Sequence, residues 1–105
     1  MIGTCELCGR TEVRLTRHHL IPRTRHRNKR IRRRFSREEL ATRILWVCRP
    51  CHSQIHALIP EKELAERYHS REALLGHPGI HRFVDWIRDR PAGLKPRGRG
   101  RGRRR

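Results

Sequence analysis

The sequence predicts a small α+β fold, on three observations. Two Cys-x-x-Cys turns stand 39 residues apart, Cys5/Cys8 and Cys48/Cys51. A segment of period-two alternation follows the first turn, as a strand requires. After the second, capped segments with helical periodicity fill the chain to residue 90. The 105 residues suffice for one small domain. Only 34% are hydrophobic and 5% aromatic, against 35% charged, so the core is thin and needs a staple.

The elements follow in order. Cys5 to Gly9 is a tight turn. Glu12 to Leu20 alternates through Val13 and Leu15 and predicts a strand, ended by Pro22. The block Arg23–Arg37 holds only two apolar residues, Ile31 and Phe35, and reads as a short helix or an extended loop too charged to be core. Ser36 and Glu39 form a capping-box pattern for a short helix through about Arg43. Ile44–Val47 is a short apolar strand, Cys48–Cys51 a second turn, and His52–Ile59 a helix. Pro60 opens another helix, with acids in its first turn, that runs to about Tyr68. Ser70 caps a short helix through Leu75, closed by Gly76. Ile80, Phe83, Val84 and Ile87 then fall on one face of a last helix, which Pro91 stops.

Net charge is +17, but unevenly placed. Residues 10–37 hold twelve basic residues and one acid, residues 90–105 eight basic and no acid, and the segment between is nearly balanced. An internal basic block and a basic tail point to a polyanionic partner. Arg outnumbers Lys 24 to 3, and guanidinium forks match phosphate oxygens. The expected phosphate contacts are Arg17, Arg23, Arg25, Arg27, Lys29 and Arg30 of the block and Arg99 and Arg101 of the tail. Gly and Pro throughout 91–105 favour disorder there. No apolar run reaches the roughly 18 residues of a membrane span, and residues 1–20 lack the apolar stretch of a secretory signal. No membrane partner is expected.

A Cys-x-x-Cys turn aims two sulfurs at one point, and two such turns complete a tetrahedral four-thiolate zinc site from Cys5, Cys8, Cys48 and Cys51. Disulfides would suit a secreted chain, and a redox pair needs only one such turn. Structural Zn²⁺ is therefore the expectation, in a reducing compartment. Beside the turns lie four histidines. His52 and His56 share a helix face at i, i+4. Adjacent His18 and His19 on a strand would face opposite sides, so one can join His52 and His56 on an ion while the other stays free.

The order Cys-x-x-Cys, then His-His-Leu-Ile-Pro-Arg (18–23), then Cys-Arg-Pro-Cys-His-Ser-Gln-Ile-His (48–56) resembles the zinc-binding branch of the HNH endonucleases over roughly residues 5–58. The resemblance implies a ββα-metal, treble-clef-like (His-Me finger) core, with 1–90 as the nuclease domain and 60–90 as its helical extension. It implies His18, His52 and His56 as ligands of a catalytic divalent cation (Mg²⁺, Mn²⁺, Ni²⁺ or Zn²⁺), with His19 as general base. It implies DNA as substrate, RNA not being excluded, a monomer or weak dimer, and a cytoplasmic, nucleoid-associated place in a bacterial or phage system. The family's central Asn is missing from 42–47; Asn28, the only Asn in the chain, is the base-orienting residue on offer, with Thr42 or Arg43 as substitutes. The second function class is a non-catalytic zinc-stabilised module that binds nucleic acid.

Overall fold

In the computed structural model, which describes residues 1–91, the frame is a three-stranded antiparallel sheet. β1 (Ile2–Gly3), β2 (Val13–His19) and β3 (Ile44–Cys48) lie in the order β1-β2-β3. Seven helical pieces complete the described residues: a 3-10 turn at Arg23–Arg25, α1 (Lys29–Arg34), α2 (Arg37–Thr42), α3 (Arg49–Leu58), α4 (Glu61–Arg67), α5 (Arg71–Leu75) and α6 (Pro78–Ile87). Arg99, Arg101 and the rest of the expected disordered tail beyond Pro91 lie outside the described residues.

The β2–β3 register places Leu15 opposite Cys48, Thr16 opposite Val47 and His18 opposite Leu45. Antiparallel strands alternate faces, so Thr16 and His18 share one face while Val13 and Leu15 point to the other. α3 packs on this strand pair directly after β3. The core runs from the cysteine cluster through Val47, Ile55 and Ile59 to Leu64, Leu74, Ile80, Val84 and Ile87, so α4 to α6 share one interior with the sheet.

Local signals account for most boundaries. Ser36 and Glu39 make the reciprocal capping box that opens α2. Ser70 caps α5 through Ala73 N–H, and Gly76 closes it. The apolar face of α6 is buried at Ile80, Val84 and Ile87. Its N-cap is His77, whose Nδ1 accepts from the Gly79 and Ile80 backbone.

Several elements differ from the sequence reading. α3 begins at Arg49 rather than His52, because Pro50 in its first turn has its φ already set for a helix. The second Cys-x-x-Cys is thus the end of a strand and the first turn of a helix. β3 extends one residue to Cys48. β1 was not expected; two residues carry no alternation, and it exists only by pairing with β2. The basic block does form a helix, α1, whose N-cap is Asn28. It also supplies core: Ile31 (2% exposed) and Phe35 (7%) join Ile21, Leu40 and Ala65 in a second cluster.

If α4 to α6 belong to the same cooperative unit as the sheet, then Ile80→Ala lowers the stability of all of residues 1–90 together. We expect one urea transition, shifted by about 2–5 kcal/mol. Loosening confined to α5 and α6 in hydrogen exchange would contradict it.

Candidate metal centres

The first turn is built by backbone bonds that point sulfurs inward. Cys5 N–H donates to Arg10 O (2.9 Å) and Gly9 N–H to Cys5 O (3.0 Å), while Leu7 and Cys8 N–H both point at Cys5 Sγ (3.4 Å). Gly9 takes φ +83°, the left-handed region that favours glycine. Glu6 fastens this turn to β3: its N–H donates to Trp46 O (2.8 Å), and its Oε2 accepts from Trp46 N–H (2.8 Å). Cys48 at the end of β3 and Cys51 in the first turn of α3 complete the group. All four cysteines are buried and unbridged, with sulfurs within 4.8 Å of one another. Such a group can hold a metal ion.

The donor chemistry fits a cation. Hydrogen bonds from Cys48 and Cys51 pull the Cys5 thiol down to about 6. Cys8 is also lowered, first by Cys48, whereas Cys51 is pushed up, first by that same neighbour. Four sulfurs competing for too few protons is an arrangement that one cation resolves by deprotonating all of them. Arg10 supplies a counter-charge. It is 6% exposed, and its Nη2 donates to Cys48 Sγ (3.4 Å) while Nη1 donates to Pro91 O (2.9 Å). Burial alone would lower its pKa, but the Cys48 and Cys8 sulfurs reverse that, and the net shift is upward. The sequence reading missed Arg10; a basic residue immediately after the Cys8-Gly9 corner is the signal that could have found it.

A second group lies along α3. His18, His52 and His56 each bring a ring nitrogen within 4.8 Å of the other two. Their ring centroids stand 5.0–5.4 Å apart. His18 is 0% exposed, and neither of its nitrogens has a hydrogen-bond partner. Burial, then the like charges of His52, His56 and His19, hold its pKa down to about 3. Unpartnered buried polar atoms cost about 1–3 kcal/mol each; in the neutral ring one nitrogen carries a hydrogen and the other a lone pair, and the site fits an ion that takes that lone pair. His52, half-buried, is lowered by burial, then by His56 and His19. Its Nδ1 lies 2.8 Å from Thr16 Oγ1. Thr16 was also missed, although a residue two before His18 on a strand must share its face.

His19, half-buried at the end of β2, is lowered by burial, then by Arg17, Arg23 and His26. It is therefore neutral near pH 7. Arg17, Arg23, Arg27, Lys29 and Arg30 are exposed and Arg25 half-buried. His26 is held by Ile21 O (2.8 Å). Asn28 does not meet His19: its Oδ1 accepts from Arg30 and Ile31 N–H as a helix cap. The substitutes are also engaged, Thr42 on Glu38 O and Arg43 on His69 O. Among the described residues, no hydrogen bond to the His19 ring is present.

The chain is 44% identical over 91 residues to the uncharacterized protein YisB of Bacillus subtilis (strain 168), an alignment that spans 85% of this chain and 77% of YisB. It belongs to the YisB family. No family model matches the chain, and no solved structure matches it. Among the described residues, no helix is long and apolar enough to cross a membrane.

The pKa of His18 sets a pH dependence. Its folded value of about 3 lies below the ordinary 6.5, so below about pH 6.5 the unfolded chain binds a proton that the folded one refuses. The stability that comes from keeping this ring neutral is intact above 6.5 and is lost progressively as pH falls towards 3. By NMR, the His18 ring should show no titration from about pH 8 to about pH 5. A midpoint near the ordinary value would contradict its burial.

Proposed function

We propose that the chain is a metal-dependent endonuclease of the HNH kind, hydrolysing DNA phosphodiester bonds. β2, β3 and α3 would be its ββα-metal core, and the four-cysteine group its structural Zn²⁺ site. The observation that carries this is His18: a wholly buried imidazole with both nitrogens unpartnered, in reach of His52 and His56. Ordinary core histidines are hydrogen-bonded.

His19 is the general base. Held neutral by burial and by Arg17, Arg23 and His26, it can take the proton from an attacking water. Arg23, Arg25 and Arg27 follow directly on the base strand and would hold phosphates on either side of the scissile bond. A divalent ion on His18, His52 and His56 would supply charge stabilisation to the phosphate and to the departing 3′ oxygen. Three imidazoles suit Zn²⁺, Ni²⁺ or Mn²⁺, with Mg²⁺ served when phosphate and water oxygens fill the shell. Four free thiols suit a reducing, intracellular setting.

A second reading is a non-catalytic zinc-stabilised module that binds nucleic acid. It is favoured by the engagement of Asn28 as a helix cap, which leaves the His19 ring without a hydrogen-bond partner.

Purified protein with added Mn²⁺, Ni²⁺, Zn²⁺ or Mg²⁺ should nick supercoiled plasmid, and chelator should stop it. His19→Ala should lower the rate by about 10²–10⁴-fold while keeping the fold. The acidic limb of the wild-type rate profile should fall below about pH 6.5, because the base is lost when His19 protonates and its pKa is lowered. Salt-sensitive binding with no nicking under any metal would establish the second reading.

A further inference from the structure

Thr16 Oγ1 makes two contacts. It lies 3.1 Å from the Val47 carbonyl oxygen and 2.8 Å from His52 Nδ1. The hydroxyl has one proton, and the carbonyl has none to give. Only one arrangement satisfies both contacts: the hydroxyl donates to Val47, and the His52 Nδ1–H donates to the hydroxyl. The nitrogen left with a free lone pair is then Nε2. We infer that Thr16 is a positioning residue that holds His52 in its Nδ1–H tautomer and so presents Nε2 to His18 and His56.

The geometry behind this is anchored in the sheet. Thr16 and Val47 are paired across the β2–β3 register. Val47 is fully buried and leads into Cys48, while His52 follows Cys51 directly. The hydroxyl thus ties the first turn of α3 to both strands, one residue beyond the four-cysteine group. A ligating histidine is commonly oriented by a hydrogen bond at its other ring nitrogen, and loss of such a partner weakens metal binding about 10–100-fold. Thr16 supplies that bond from a neutral group, so it orients the ring without adding charge. The consequence for metal binding rests on the metal-centre reading; the tautomer itself rests only on the hydrogen-bond pair.

The test uses the full chain loaded with one equivalent of Zn²⁺, which the four cysteines take first. A long-range ¹H–¹⁵N correlation spectrum should show His52 protonated at Nδ1 in the wild type and in Thr16→Ser. In Thr16→Val, which keeps the branched shape and removes the hydroxyl, the Nε2–H form should appear. A second equivalent of Zn²⁺ should bind about 10–100-fold more weakly to Thr16→Val than to the wild type, with Thr16→Ser near wild type. His52 protonated at Nε2 in the wild type, or an unchanged tautomer in Thr16→Val, would overturn the inference. Wild-type protein that takes no second ion would refute the metal-centre reading, while the spectra would still decide the role of Thr16.

Discussion

The convergence of four sulfurs on one point is the constraint from which the rest of the structure follows. Cys5 and Cys8 come from the turn before β2, Cys48 from the end of β3 and Cys51 from the first turn of α3. Bringing them together fixes which way α3 is rotated. With Cys51 and Ile55 turned inward, His52 and His56 emerge on the side that meets His18. In a chain with so few apolar residues, hydrophobic burial alone would set that rotation weakly. A bound ion would make it rigid, since its binding free energy is folding free energy. Arg10 completes the arrangement, because four thiolates around one divalent cation would carry net negative charge into the interior.

The imidazole group costs stability where the sulfur group, with an ion bound, would supply it. His18 occupies a core position with no partner for either nitrogen. An apolar side chain there would be the better choice for folding alone. Positions that break the rules of packing in this way are where function is to be sought. The opposite faces of β2 separate the two histidines: His18 turns into the α3 side, and His19 stays half-exposed among Arg17, Arg23 and His26.

Much of this was legible in the amino-acid sequence. The cysteine spacing announced the first group, the alternation from Val13 announced β2, and the i, i+4 pair His52/His56 announced one side of the second group. Ser36, Ser70 and the face of α6 were equally plain, because caps and periodicity are local. What could not be read was what depends on pairing across the chain. β1 has no pattern of its own. The partnership of Thr16 with His52 requires the β2–β3 register, and that of Arg10 with Cys48 requires the fold. The Asn28 cap and Pro50 at the start of α3 are local signals, but one lies in a segment dominated by charge and the other inside a Cys-x-x-Cys spacing that also fits a free-standing turn.

Under the proposed reading the two groups would hold two separate cations, one bound by sulfur and one by nitrogen. Anomalous diffraction from crystals grown with excess Zn²⁺ would locate them. Two peaks are expected, one among the four sulfurs and one within about 2.0–2.1 Å of a nitrogen from each of His18, His52 and His56. A single peak at the cysteines, with the His18 ring turned to a protein hydrogen-bond partner, would contradict that reading.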